Sequence, residues 1–183
     1  MPGCGKSTVA RHLARHLGLK LVDSDHEIER RIGMPIRSFF ETQSEQAFRD
    51  IEQDVIDSLS AADGMVLATG GGAVLRAANR DRLRDRSHVF YLRSTPKDLF
   101  RRLRHDTHRP LLQVADPLRR LRELFRERDP LYRQVAHFII ETGRPSVPSL
   151  VNMVLMQLEL AGLVDAAVVP SPIDAPRTRD AGA

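Results

Sequence analysis

The sequence predicts an α/β fold: a central parallel sheet between helical layers, built around a phosphate-binding loop. Three observations carry that prediction. Segments of helical and strand periodicity alternate along the 183 residues, which is the pattern of successive βα units. The run Gly3-Cys4-Gly5-Lys6-Ser7-Thr8 opens the first helical segment, and glycines followed by Lys and a hydroxyl form a cradle for phosphate. Two short apolar strands end in Asp23-Ser24-Asp25 and in Gly70-Gly71-Gly72, at the carboxyl edge where ligands bind in open α/β sheets.

The elements follow in order. A helix is expected over 5–17, with Val9, Leu13 and Leu17 at i, i+4 spacing. A strand over 19–22 precedes helices over 26–31 and 36–42. A longer helix over 44–61 buries Phe48, Ile51, Val55, Ile56 and Leu59. A buried strand over 65–68, a helix over 74–84, a strand over 88–92 and a helix over 96–103 come next. The last strand is expected over 138–141 and the last helix over 149–160; no element is assigned over 119–137. Residues 105–118 carry Arg109-Pro110 and Asp116-Pro117 without periodicity, the profile of a mobile lid. From 163 onward Pro170, Pro172, Pro176 and several alanines leave too little to build a core, so 163–183 is expected to be a disordered tail behind one domain over 1–162.

Composition narrows the function. Hydrophobic residues are 42% and charged residues 28% of the chain, ordinary values for a globular protein. No run approaches the ~18 apolar residues of a membrane span, and no apolar signal-peptide region follows the N-terminus. Cys4 is the only cysteine, which excludes a disulfide framework and fits a reducing cytoplasm. The net charge of +4 comes from arginine, since lysine occurs only at Lys6, Lys20 and Lys97. Arginine makes bidentate contacts to phosphate and carboxylate, so the bias points to an anionic partner: a nucleotide, a small acid or nucleic acid. The 7 Phe and 2 Tyr, with no Trp, are nowhere interleaved with basic residues as base-stacking platforms require. Nucleic acid is therefore not expected.

In the phosphate loop, Gly3, Cys4, Gly5, Lys6, Ser7 and Thr8 form the back half of G-x-x-x-x-G-K-[ST]. Lys6 is expected on the β- and γ-phosphates of ATP and the Ser7 hydroxyl on Mg²⁺. The first glycine of the motif would fall one position ahead of Met1, and the apolar strand that normally feeds such a loop is not among these residues. The expectation is that Met1 is internal to the true reading frame. Of the two carboxylates after the first strand, one can organise the Mg²⁺ water shell and the other can take a proton from an acceptor hydroxyl. Asp25 is equally suited to cap the following helix. Residues 70–72 permit close approach of backbone N–H groups to a ligand, or simply a turn into a helix.

Taken together, Gly5-Lys6-Ser7-Thr8, Asp23-Ser24-Asp25, Phe48-Arg49-Asp50-Ile51-Glu52, Gly70-Gly71-Gly72-Ala73-Val74, Arg109-Pro110-Leu111-Leu112 and Arg128-Asp129-Pro130-Leu131-Tyr132 resemble the shikimate kinase family, over roughly 1–160. The resemblance implies a nucleoside monophosphate kinase-like three-layer α/β/α fold and ATP-dependent phosphorylation of the shikimate 3-hydroxyl by a monomer. It implies Asp25 as acceptor ligand and base, and Asp23 with Ser7 on the Mg²⁺ side. Arg49 and Arg128 would grip the substrate carboxylate, and Gly70, Gly71 and Gly72 would line its pocket. Arg109 would close over the phosphates, while Arg102 and Arg144 would neighbour the adenine. Glu52, three residues from Arg49 on one helical face, is placed either to orient it or to form an ordinary surface pair with it. Ser44 and Ala10 stand where the family usually has glycine, and neither touches the chemistry. A different small-molecule kinase, such as a gluconate kinase, would share the loop without requiring Asp25, Arg49 and Arg128 together. An inactive kinase-like binding module is the other alternative.

Overall fold

The computed structural model of the chain describes residues 1, 3–103, 114–143, 145–165 and 167. Its first helix, α1 (Lys6–Leu17), starts where Gly5 takes a left-handed conformation at φ 87° and ends at Gly18. Strand β1 (Lys20–Asp23) runs parallel to β2 (Met65–Ala68), with Asp23 level with Ala68. This register delivers residues 23–25 and 69–72 to the same sheet edge. Asp23 caps α2 (Ser24–Ile32) by accepting the Asp25 N–H at 2.9 Å. The helix cap is thus Asp23, one of the two expected acidic residues, and the Asp25 side chain is left for other use.

Helices α3 (Ile36–Thr42) and α4 (Glu45–Ser60) fold against α2 around Ile28, Phe39, Phe48 and Val55. Ser44 caps α4 by accepting the Ala47 N–H at 3.2 Å, a contact of ~1 kcal/mol. The inner face of α4 also carries two polar residues, Glu52 and Ser60, while Ile51 and Leu59 are only partly buried. After β2 the chain makes a 3₁₀ turn (Ala73–Leu75) before α5 (Ala77–Arg86), where one continuous helix is expected. Strand β3 (Phe90–Arg93) pairs in parallel with β4 (Phe138–Glu141), and Phe90 stacks on Phe138 at 4.6 Å. Helix α6 (Pro96–Leu103) follows β3, and α8 (Val147–Leu160) follows β4 and packs on α1.

The main departure from the sequence reading is α7 (Pro117–Val135), 19 residues long, with Pro130 inside it. Asp116 caps it through the Arg119 N–H at 2.9 Å, and Pro117 occupies its first turn, a start signal that suits proline's missing N–H. Residues 117 and 118 therefore belong to this helix and not to a lid. Arg109, most of the expected lid and Arg144 lie outside the described residues, as does most of the expected tail. Val164, assigned to that tail, packs on the main core.

The main core joins α1, α7, α8 and strand residues such as Tyr91, Leu92 and Ile140. Among the described residues the strands form two parallel pairs, β1–β2 and β3–β4. Val66 of β2 and Phe90 of β3, with Leu13, Leu17, Val135 and Leu158, line one apolar slot. The slot is continuous with the polar cleft at the carboxyl ends of the strands, the whole enclosing about 1190 Å³. No helix among the described residues is long and apolar enough to cross a membrane.

Candidate active site

The cleft begins at the N-terminus of α1. The first turn of α1 holds no acidic residue and receives no side-chain cap, so its N–H groups and dipole are free to hold an anion. The left-handed Gly5 is open enough that a Cβ would meet nothing, and φ 87° is what restricts the position to glycine. Lys6 Nζ lies 3.9 Å from Asp23 Oδ2, both side chains about one-third exposed. That pair is a loose one. The lysine is held near the end of β1 without being consumed.

Asp25 rises from the first turn of α2 and abuts residue 70. A Cβ on Gly70 would overlap Asp25 Oδ1, and Gly70 N–H donates to Ser24 Oγ at 3.0 Å. The carboxylate and the glycine turn are thus fitted to each other. Burial pushes the Asp25 carboxyl above the usual carboxylate range; Lys6 opposes the shift, Asp23 and Glu29 add to it, and Arg49 opposes it again.

Two guanidinium groups stand beside the glycine turn. Arg49, from α4, donates to Glu52 Oε2 at 2.7 Å and to Glu45 Oε1 at 3.1 Å, and lies over the Phe48 ring at 5.2 Å. A Cβ on Gly72 would come within 2.8 Å of Arg49 Cζ. Arg128, from α7, donates to the Gly71 carbonyl at 3.2 Å. The Nε groups of both arginines are buried and have no hydrogen-bond partner among the described residues. Buried donors of that kind are rarely left unpaired; Glu127 Oε1 stands 3.9 Å from Arg128 Nε, an ion-pair contact and not a hydrogen bond. Glu52 is buried, 1% exposed. Burial lifts its carboxyl above the usual range, with Arg49 opposing and Asp25 adding to the rise.

The structure therefore brings together Gly3, Cys4, Gly5, Lys6, Ser7, Thr8, Asp23, Asp25, Gly70, Gly71, Gly72, Arg102 and Arg128 around one cleft. Arg49 stands against Gly72 at its side. Arg102 is tied to the Thr142 carbonyl and to Ser94 Oγ, which links α6 to the segment after β4. Three contacts were not anticipated: Ser24 on the Gly70 N–H, Glu45 on Arg49, and Tyr132, whose hydroxyl donates to the Gly71 carbonyl at 2.7 Å. The signals were present for two of them. Glu45 precedes Arg49 by four residues on a helix, the favourable orientation for an ion pair. Tyr132 follows Arg128 at the same spacing.

A phosphate loop opening α1, a carboxylate facing a glycine turn and two arginines at one sheet edge define a P-loop kinase of the α/β class that acts on a small acid. The shikimate kinase family model matches residues 2–159. Curated shikimate kinases from Ralstonia nicotianae and Paracidovorax citrulli are 58% and 59% identical, over 93% and 89% of this chain and 90% and 91% of their own. The solved shikimate kinase from Acinetobacter baumannii in complex with shikimate superposes with a TM-score of 0.80 at 46% identity, covering 87% of this chain and 89% of its own. That from Bacteroides thetaiotaomicron gives 0.80 at 28% identity, over 86% and 94%. The chain belongs to the shikimate kinase family, whose members phosphorylate shikimate at the expense of ATP.

Proposed function

We propose that this site transfers the γ-phosphoryl group of ATP to the 3-hydroxyl of shikimate, giving shikimate 3-phosphate and ADP in aromatic amino-acid biosynthesis. The observation that carries this reading is the pair of guanidiniums flanking the glycine turn that Asp25 abuts, Arg128 on the Gly71 carbonyl and Arg49 against Gly72. Two guanidiniums hold a carboxylate and a carboxylate meets hydroxyls, which is the recognition a polyhydroxy acid requires. Residues 3–8 cradle the phosphates, with Lys6 on the charge that shifts during transfer. Asp25 binds the acceptor hydroxyl and takes its proton as the bond to phosphorus forms. Its raised pKa brings this base closer to neutral operation. Gly70, Gly71 and Gly72 let the acceptor lie close to the backbone. Arg109 is assigned to the phosphates, and Arg102 and Arg144 to the adenine.

Ser7 and Asp23 fit Mg²⁺. Asp23 Oδ1 is used by the cap, whereas Oδ2 lies beyond hydrogen-bond distance of Lys6 at 3.9 Å. A hydroxyl and one free carboxylate oxygen suit an ion that keeps several waters and phosphate oxygens. When bound, Mg²⁺ supplies neutralisation of the phosphate charge.

One chain is proposed as the unit of function, with residues 1–162 as the catalytic domain and Val164 packed on the same core. A reducing cytoplasm suits the thiol of Cys4, buried inside the phosphate loop. Several surface arginines serve the fold: Arg76 pairs with Asp50, Arg82 and Arg86 with Asp57, and Arg84 donates to the Gln134 and Ala136 carbonyls.

Arg49→Lys and Arg128→Lys test the carboxylate reading. Each is expected to raise KM for shikimate by about 10-fold or more, since a charge-assisted bond is worth ~1.5–3 kcal/mol. KM for ATP should hold, and an analogue lacking the carboxylate should be nearly indifferent to either change. Equal losses for acid and neutral analogue would assign both arginines to the fold.

The apolar slot is lined from β2 and β3, each paired on one side only among the described residues.

A further inference from the structure

We infer that Asp129 is a positioning residue for acceptor binding: its carboxylate pins one turn of α7 to β3, so that Arg128 and Tyr132 meet the Gly71 carbonyl. The inference rests on the reading that Arg128 holds the substrate carboxylate.

The turn needs an external anchor. Pro130 lies inside α7, so the backbone bond from residue 130 to the Arg126 carbonyl cannot form, and the ring crowds that carbonyl. The residue before a proline is itself disfavoured in helical conformation, and that residue is Asp129. The weakest turn of the helix is therefore the one that carries Arg128.

Three donors converge on the Asp129 side chain at that point. The Tyr91 hydroxyl and Arg93 Nε both donate to Oδ1 at 2.9 Å, and Arg133 Nε donates to Oδ2 at 2.8 Å. Tyr91 and Arg93 belong to β3, the rigid element, so two of the three bonds cross from helix to sheet. Burial alone would lift the Asp129 carboxyl, but the bonds from Arg133, Arg93 and Tyr91 outweigh it and hold the group below its usual range. The carboxylate form is the one the site is built for.

The neighbours of Asp129 carry the effect onward. Tyr132 stacks on Tyr91 at 4.8 Å and donates its hydroxyl to the Gly71 carbonyl at 2.7 Å. Arg128 reaches the same carbonyl at 3.2 Å, and the two donors together occupy its two lone pairs. Gly71 lies between the glycine against Asp25 and the glycine against Arg49. A loosened residue-129 turn would thus free Arg128 and the middle of the glycine turn at once, without any contact of Asp129 with substrate.

The test compares Asp129→Ala with Asp129→Asn, Arg133→Gln and Arg128→Lys in steady-state kinetics and thermal melts. Asp129→Ala is expected to raise KM for shikimate about tenfold, or ~1.4 kcal/mol, with KM for ATP unchanged within about twofold. Asp129→Asn keeps one acceptor for Tyr91 and Arg93, so it should recover most of the loss. Arg133→Gln, on the half-exposed side, should leave KM near its starting value. A merely structural Asp129 would lower Tm and the rate per total protein while KM for shikimate stayed constant, because KM does not depend on the folded fraction. That outcome would overturn the inference. Should Asp129→Ala fail to fold, Tyr91→Phe carries the same test: it removes one donor and keeps the ring stack, and a several-fold rise in KM is expected. Arg128→Lys separates the two levels. If it leaves KM for shikimate unchanged, the reading of Arg128 itself fails; if it raises KM while Asp129→Ala does not, only the positioning role fails.

Discussion

Lys6→Ala is expected to lower kcat by about 10²–10³-fold, the cost of removing one group aimed at charge that develops in the transition state. Tm should change little. Lys6 Nζ has one ion-pair partner among the described residues, Asp23 at 3.9 Å, and both side chains are about one-third exposed. Such pairs contribute ~0–1 kcal/mol, further reduced by solvent screening. The fold has little to lose at this position, and the reaction has much. A loss of kcat with Tm and KM for shikimate preserved is the expected pattern in a melt and a steady-state assay. A variant with undiminished kcat would remove Lys6 from the phosphates and with it the assignment of residues 3–8 as a phosphate cradle.

Local signals on short stretches made the site readable in the sequence. Gly5 and Lys6 sit where a helix starts, and no tertiary contact is needed to see that α1 presents free N–H groups. Asp23-Ser24-Asp25 was legible as the end of a strand, but which aspartate caps α2 depends on a single backbone turn. The spacing of Glu52 from Arg49 made that pair visible, and Glu52's burial of all but 1% follows from packing that spacing does not report. Helix α7 was missed for a physical reason. Pro130 and a high density of charge break the periodic signal over 117–135, whereas the side-chain bonds of Asp129 that hold the turn come from β3, about 36–38 residues away. The contacts of Gly70 with Asp25 and of Gly72 with Arg49 are likewise tertiary. The motif marked the glycines; only the fold shows what would collide with a side chain there.

Asp25→Asn is expected to separate activity from stability in opposite directions. As the acceptor's base, Asp25 should be worth ~10²–10⁴-fold in kcat, with little change in ATP binding because the carboxylate abuts Gly70 of the glycine turn. Its folded-state pKa is raised, chiefly by burial, which fixes the sign of its effect on stability. Between the unfolded value and the higher folded value, the folded chain holds more protons than the unfolded chain. Stability therefore falls as pH rises through that window, and above it the full penalty of a buried, ionised carboxylate is present. Asparagine is close in shape and has no proton to lose. The variant should thus melt higher than the parent at neutral pH, by about 2–4 °C for each kcal/mol regained. The difference should shrink as pH is lowered towards the unfolded value of 3.8. In kinetics, the parent should gain activity as pH rises through the Asp25 titration, and the variant should lack that limb. Unchanged kcat would exclude Asp25 as the base. Loss of ATP binding with shikimate binding intact would instead place Asp25 on the metal side of the cleft and exchange its role with Asp23. A higher Tm accompanied by a lost acid limb is the result that identifies a carboxylate kept, against the interest of the fold, for the proton it must accept.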